Sequence, residues 1–424
     1  MIWRIINSDF FKKTSIVFVG NLINKIILLY TYYLLARNLE IKEYGLLMLC
    51  TSITTMVTNI SAYGTNATLS RAISQFLQTE NHQKIKLIFS TTVINVFFFS
   101  TLLCVILILF SENISYFILK CSYNELVIAA SIGIPILVLQ NMYISYFNGY
   151  QNFRVSMILN IIPSVFLLLA VSLLYYFNKN TLLCISLAFA ICPLSFLLYF
   201  IFYNKDFFFP RYYNISILKD SFNFGKWMTL QSIIIIIQSK VDMFMLSYFN
   251  MIEQVSYYDI ANKVQGIVLF LLGAYTTVLI PKMNTLRSKH EIIKFVNKNL
   301  IVSKILMAIL IVVAIVSPFI INFLFSSKYA PSTLPLIIIL LSLIPLVFIY
   351  PFNAALIAIG KSKIFFIVAI VQLIANVSIS YILLPMYGAI GSGISYVLVN
   401  VISLIFAYYS YNYYFKIKYD EIAI

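Results

Sequence analysis

The sequence predicts an all-α membrane protein with twelve transmembrane helices in two six-helix lobes. Three observations predict it. First, 62% of the 424 residues are apolar and only 10% are charged, against roughly 45–50% and about 25% in soluble domains. Mean hydropathy is +0.94. A soluble fold cannot bury that much apolar surface. Second, twelve apolar runs reach the roughly 20 residues that a spanning helix needs. Third, the loop charges alternate. With the N-terminus cytoplasmic, the inner segments hold 20 Lys and Arg, and the outer loops hold only Arg37, Lys42, Lys120, Lys179 and Lys328. One missed or spurious span would swap every later loop and destroy that split. A multi-pass membrane chain with both termini cytoplasmic is therefore expected. The composition excludes a soluble enzyme, a disordered chain and a secreted disulfide scaffold. It also excludes a transmembrane β-barrel, whose strands would be short and alternating.

Residues 1–13, MIWRIINSDFFKK, read as a basic amphipathic lead-in. They are not a cleavable signal, because the apolar run behind them has no small-residue cleavage site and contains Lys25. The first span covers 14–36, and Tyr44 opens the second, 44–64. The third is 87–110. The fourth, fifth and sixth (126–148, 155–177, 181–203) carry Pro135, Pro163 and Pro193, which kink helices or loosen their backbone. The seventh, 224–249, bears a polar stripe of Gln231, Ser232, Gln238 and Ser239, and the eighth is 257–281. The ninth, 300–325, contains Pro318, and the tenth, 333–359, contains Pro345 and Pro351. The eleventh and twelfth are 364–384 and 388–411. Gln140, Asn141, Asn160, Gln372 and Asn376 suit interhelical hydrogen bonds. The longest connections are 65–86, 204–223 and 282–299, too short for an independent soluble domain. This divides the chain into an N-terminal lobe (1–203), a cytoplasmic linker (204–223) and a C-terminal lobe (224–424).

The chain also reads as doubled. Gly149 and Gly360 are 211 residues apart, Tyr44 and Tyr257 are 213 apart, and half the chain is 212. Six spans per half is an even number, so the halves would be parallel repeats about an axis along the membrane normal, with a cavity between them. The net charge of +15 fits cytoplasmic loops and anionic lipid headgroups rather than nucleic acid. Cys50, Cys104, Cys121, Cys184 and Cys192 have no metal spacing and read as inert residues of the apolar interior.

Few ionisable groups lie within the spans, where a charge costs roughly 2.5–3.5 kcal/mol at the bilayer centre and tends to face a wet cavity or a partner. Lys25 sits near the middle of the first span with Asn21 and Asn24 at i−4 and i−1, and no carboxylate lies within a turn of it. It reads either as a cavity-lining cation or as a lysine that snorkels or pairs with a distant acid. Lys240, Asp242, Asp259 and Lys263 form a second group. Asp259 and Lys263 are at i and i+4 and can pair, whereas Lys240 and Asp242 are two apart and do not face each other. That group reads either as a mixed-charge site, with Asp242 or Asp259 binding a coupling ion, or as a structural ion-pair network. Enzyme signatures are missing. The only histidines, His82 and His290, lie apart in loops, and there is no nucleotide-binding loop, metal cluster or nucleophile motif. No cofactor is expected.

Four segments resemble one family. Residues 34–45, LLARNLEIKEYG, resemble the "LAR-x-LG-x-x-x-YG" turn between the first two helices of polysaccharide-biosynthesis flippases. Residues 62–74, AYGTNATLSRAIS, resemble that family's "GL-x-x-x-x-x-R-x-I" segment, with Gly64 and Arg71 in register. Residues 242–266 resemble the repeated turn, and 352–393, with FNAALIAIGKSK and LLPMYGAIGSG, resemble the tenth-to-twelfth-helix region. Glu40 departs from the family's usual glycine. The resemblance implies a Wzx-like O-antigen or capsule repeat-unit flippase of the multidrug/oligosaccharidyl-lipid/polysaccharide exporter superfamily. That fold is similar to the multidrug and toxin extruders (MATE) and the lipid II flippases. The lack of two extra C-terminal helices argues against the lipid II branch.

The implied substrate is a polyprenyl pyrophosphate carrying an oligosaccharide, moved among membrane lipids with a glycan polymerase as a possible partner and no nucleic acid. Lys25, Lys240, Lys263 and Arg71 would meet the pyrophosphate, with Asn21 and Asn24 beside Lys25. Asp242 and Asp259 would couple transport to an ion gradient. A drug/cation antiporter of the same fold would need an acidic cavity. A membrane glycan polymerase or ligase would need a large charged outer loop, and the largest here, 111–125, holds only Glu112, Lys120 and Glu125.

Overall fold

The computed structural model describes residues 9–62, 65–178, 181–202, 213–286, 288–360 and 362–417. Gly64, Lys179, the first eight residues and the linker up to residue 212 lie outside the described residues. Every regular element among those described is helical, and twelve helices are long and apolar enough to cross a membrane. The first six are Val17–Asn38, Ile41–Ala62, His82–Leu109, Asn124–Gly149, Phe153–Tyr176 and Leu182–Phe202. The next six are Leu230–Tyr248, Ile252–Asn284, Lys289–Phe325, Ser327–Ala358, Ile364–Tyr387 and Ala389–Phe415. They match the expected runs one for one.

The ends differ where polar chemistry extends a helix beyond its apolar stretch. The ninth begins at Lys289 rather than 300, because Ser288 and Glu291 form a capping box. Ser288 Oγ accepts from the Glu291 N–H at 3.2 Å, and Glu291 Oε2 accepts from the Ser288 N–H at 3.5 Å. The seventh span is the end of a longer helix, Ile215–Tyr248, so most of the expected linker from residue 215 onward is helical. The connection after the second span is also helical, at Thr65–Gln78. Leu69 and Ile73, four apart, are buried there with Met142 and Phe147 of the fourth span. Ser74 Oγ donates to the Gly149 carbonyl at 2.9 Å and ties that helix to the end of the fourth span.

The chain forms two compact units, Met1–Ile236 and Ile237–Ile424. In the first, the fourth span is the hub and packs on the second, third and sixth, while the first packs on the fifth. In the second, the tenth is the hub and packs on the eighth, ninth and twelfth, while the seventh is hydrogen-bonded to the eleventh. Each neighbour pair recurs six spans later, so the internal duplication is present in the packing. Small residues allow the closest approach. A Cβ on Gly133 would lie 3.0 Å from Ala190 Cα, so glycine lets the fourth and sixth spans touch backbone to backbone.

The two glycines that suggested the repeat do different work. Gly149 is helical, and a Cβ there would lie 2.7 Å from Ile73 Cβ. Gly360 has φ +72 and nothing within 4 Å of a Cβ, so it serves a left-handed turn. In the first half, Gln151 takes the left-handed position, at φ 56. Glu40, where the resembled motif has glycine, is not among the positive-φ residues. Its N–H donates to Glu43 Oε2 at 3.1 Å, so the turn is held by a side-chain cap and does not need glycine.

Candidate functional site

Two buried polar constellations stand out, one in each unit. In the first unit, five spans surround a cavity of about 260 Å³. The first span contributes Asn24 and Tyr32, the second Thr51, Thr54 and Thr55, the fourth Gln140, the fifth Asn160 and Ser164, and the sixth Ser186 and Phe189. No Lys, Arg, Asp or Glu is among the described lining residues. The sixth span is broken beside it. A 3₁₀ segment, Cys192–Phe196, with Pro193 at its start, interrupts the α-helix, and Cys192 and Pro193 both line the cavity. Proline removes a donor from the helical ladder, and such breaks are tolerated at membrane depth where they face a cavity.

Four hydroxyls of the wall spend their protons on the backbone. Thr51 donates to the Met48 carbonyl at 3.0 Å, Thr55 to Ser52 at 3.2 Å and Ser164 to Asn160 at 3.3 Å. Thr54 lies 2.9 Å from the Ala130 carbonyl and 3.1 Å from that of Cys50. Gln140 Nε2 donates to the Leu159 carbonyl at 3.1 Å. What the four hydroxyls have left is acceptor capacity, while the Gln140 amide keeps its carbonyl oxygen and a second N–H. Asn24 Oδ1 and Ser186 Oγ are buried without a hydrogen-bond partner.

Asn24 therefore lies on the cavity wall, while Lys25 and Asn21, both half-buried on the same span, are not among its lining residues. Arg71 is exposed on the connector helix Thr65–Gln78. The structure does not bring Arg71 and Lys25 onto one wall of this cavity.

In the second unit, Asp242 of the seventh span is 3% exposed. Tyr258 of the eighth donates its hydroxyl to Asp242 Oδ2 at 3.0 Å, and Ser380 of the eleventh donates to Oδ1 at 2.8 Å. The buried Asn376 presents Oδ1 at 3.3 Å from the Ser380 hydroxyl, and its side chain also faces the Asp242 carboxylate. No Lys or Arg is ion-paired with Asp242 among the described residues. Asp259, one residue after Tyr258, faces elsewhere and pairs with Lys263 at 3.5 Å. Lys240 lies within electrostatic reach of both members of that pair. The four ionisable groups thus divide into an ion-paired set and a buried carboxylate held by neutral hydroxyls.

Tyr258, Ser380, Thr54 and Phe189 were not singled out from the sequence, because each acquires its partner from another span, and Ser186 was not, because its place on the cavity wall depends on packing. Lys304 was missed as well. It lies within the ninth span, exposed, on a groove with Tyr408 and Tyr409 of the twelfth. Its position in an apolar run was the available signal.

A twelve-span all-α chain with interior polar sites and no enzyme signature is a membrane protein of the MATE-like fold class. Residues 10–287 match the family described as "Polysaccharide biosynthesis protein", and the chain belongs to that family. It is similar to the "Putative O-antigen transporter" of Shigella flexneri, 24% identical over 181 residues, which is 42% of this chain and 43% of that protein. The matched stretch thus spans less than half the length of that relative. Among solved structures, the chain is similar to "Lipid II flippase MurJ, inward closed conformation", with a TM-score of 0.75 at 16% identity over 92% of this chain and 86% of that one. It is also similar to a multidrug resistance MATE family transporter in an inward-facing conformation, with a TM-score of 0.72 at 16% identity over 93% and 94% of the two chains. The Vibrio cholerae MATE transporter VcmN gives a TM-score of 0.65 at 14% identity over 97% of both chains. These relatives are transporters and flippases rather than enzymes.

Proposed function

We propose that the chain is a flippase for polyprenyl-pyrophosphate-linked oligosaccharide repeat units of the O-antigen or capsule type. It moves them from the cytoplasmic to the outer leaflet of a bacterial plasma membrane by alternating access, driven by an ion gradient. The observation that carries the reading is the family match over residues 10–287 on a twelve-span fold. The physics supports it. A polyprenyl tail is at home in lipid, while a pyrophosphate and its sugars are not, so the barrier is the headgroup. Polar groups within the spans lower that barrier. Lys25 and Arg71 in the first unit, and Lys240 in the second, each by itself offer a cation to the pyrophosphate on its route, and Lys263 is held by Asp259.

Ion coupling falls to Asp242 rather than Asp259. A buried carboxylate without a counter-ion is costly and gains from binding a proton or a cation. Tyr258, Ser380 and Asn376 supply further oxygens for such an ion. Asp259 is already neutralised by Lys263. A drug/cation antiporter is not favoured, since the first unit's described cavity wall carries no carboxylate.

Deletion of the chain in its host tests the function. The expected result is loss of surface polysaccharide with lipid-linked intermediates accumulating on the inner leaflet, restored by the chain in trans. Intact surface polysaccharide, or intermediates already on the outer leaflet, would refute the reading.

A further inference from the structure

We infer that the cavity of the first unit is a subsite for one uncharged sugar ring of the translocated headgroup. This rests on the flippase reading above and deepens it, because it assigns Asn24 to the glycan and not to the pyrophosphate.

Three properties of the wall carry the assignment. The first is charge. A pyrophosphate offers only acceptors and needs cations or a dense set of N–H donors. No Lys or Arg is among the described lining residues, and the Thr51, Thr54, Thr55 and Ser164 hydroxyls have their protons committed to carbonyls. Uncharged polar groups with acceptor capacity left, set among apolar side chains, fit a ligand that carries O–H donors on an otherwise apolar frame. A neutral sugar is such a ligand, and it can also accept from the Asn24 and Asn160 amides. The second is unmet demand. Ser186 and Asn24 both line the cavity, and Ser186 Oγ and Asn24 Oδ1 are buried just behind its surface with no partner. A buried polar atom left unpaired is costly, so a side-chain rotation that turns either atom onto a ligand hydroxyl recovers that cost.

The third is shape. Tyr32 and Phe189 stack with ring centroids 6.3 Å apart and 29° between planes, and both line the cavity. An aromatic wall beside acceptors matches a pyranose, which has an apolar C–H face and a polar rim. The volume, about 260 Å³, equals eight or nine waters at about 30 Å³ each. That is room for a single ring. A cation is a weaker fit, since no carboxylate is among the described lining residues.

The test uses the full-length protein purified in detergent, with Trp3 and Trp227 changed to Phe and Phe189→Trp as the one reporter. Glucose, galactose and N-acetylglucosamine are titrated at high millimolar concentration, with inorganic pyrophosphate and sodium chloride as comparisons. The expected result is a saturable change in the indole emission of this reporter with at least one sugar and none with pyrophosphate or sodium. Ser186→Leu, which fills the cavity with an apolar chain, abolishes the change, and Asn24→Leu does the same should the first variant fail to fold. Each variant should also lower surface polysaccharide about tenfold at normal membrane level, or ~1.4 kcal/mol. No response to any sugar, or an equal response to pyrophosphate or sodium, overturns the subsite. If sugars fail to bind while the chain still restores glycan export, the subsite is wrong and the flippase stands. If sugars bind but export is not restored, the flippase reading fails and the headgroup assignment falls with it.

Discussion

At the scale of single residues, the decisive contrast is between two aspartates. Both are buried, and both lie on spans near one another in sequence. Asp259 has Lys263 one turn away, and the pair forms at 3.5 Å. Asp242 has neutral partners, Tyr258, Ser380 and Asn376, among the described residues. Asp242→Asn keeps the shape and most of the hydrogen bonds but removes the titratable group. We expect it to cut glycan export by at least about tenfold (~1.4 kcal/mol) at unchanged membrane level, measured as surface polysaccharide per molecule of protein. Asp259→Asn with Lys263→Met removes a charge pair together and should cost less than about threefold. Equal losses from the two variants would remove Asp242 from ion coupling. Lys25 is a separate case. Lys25→Ala should reduce surface glycan without changing protein level, and normal glycan in that variant would take Lys25 out of the mechanism. The i, i+4 pairing of Asp259 with Lys263 was legible in the sequence because one helix brings both together. The partners of Asp242 were not, because Tyr258 and Ser380 come from other spans.

At the scale of elements, equal spacing concealed unequal physics. Gly149 and Gly360 are 211 residues apart in sequence, yet Gln151 rather than Gly149 corresponds to Gly360, and one glycine is needed for space and the other for backbone angle. Gly149→Asn should lower the midpoint of thermal unfolding, at about 1–3 kcal/mol for overpacking against Ile73. Gly360→Asn should be nearly neutral, because asparagine tolerates the left-handed region. A thermal-shift assay on the detergent-solubilised chain reads both, and equal shifts would contradict the distinction. The connector Thr65–Gln78 makes a related point. Its apolar residues are too few for a span, so it reads as a loop until the fourth span provides a surface for Leu69 and Ile73 to bury against. The kink expected at Pro193 is a true break in the sixth span, and it lies where the cavity is.

At the scale of the whole molecule, the loop charges make a directional prediction. A reporter fused after residue 120 should be active outside the cell, and one fused after residue 290 inside it. The reverse pattern would overturn the orientation without touching the fold. Much of the architecture was legible in the amino-acid order. Twelve apolar runs of sufficient length must become helices in lipid, because every backbone N–H and C=O needs an internal partner there. That constraint is local, so composition and run length determine it, and the number and order of spans follow. The sites were only partly legible. The sequence determined which spans carry Lys25, Asp242 and Asn24. Only the tertiary structure decided that Asn24 joins hydroxyls and amides from four other spans around an uncharged cavity, and that Asp242 is left with neutral partners while Asp259 is neutralised. Those outcomes depend on how helices rotate and pack against each other, and packing in lipid is governed by close fit between distant small and polar side chains rather than by any periodicity along the chain.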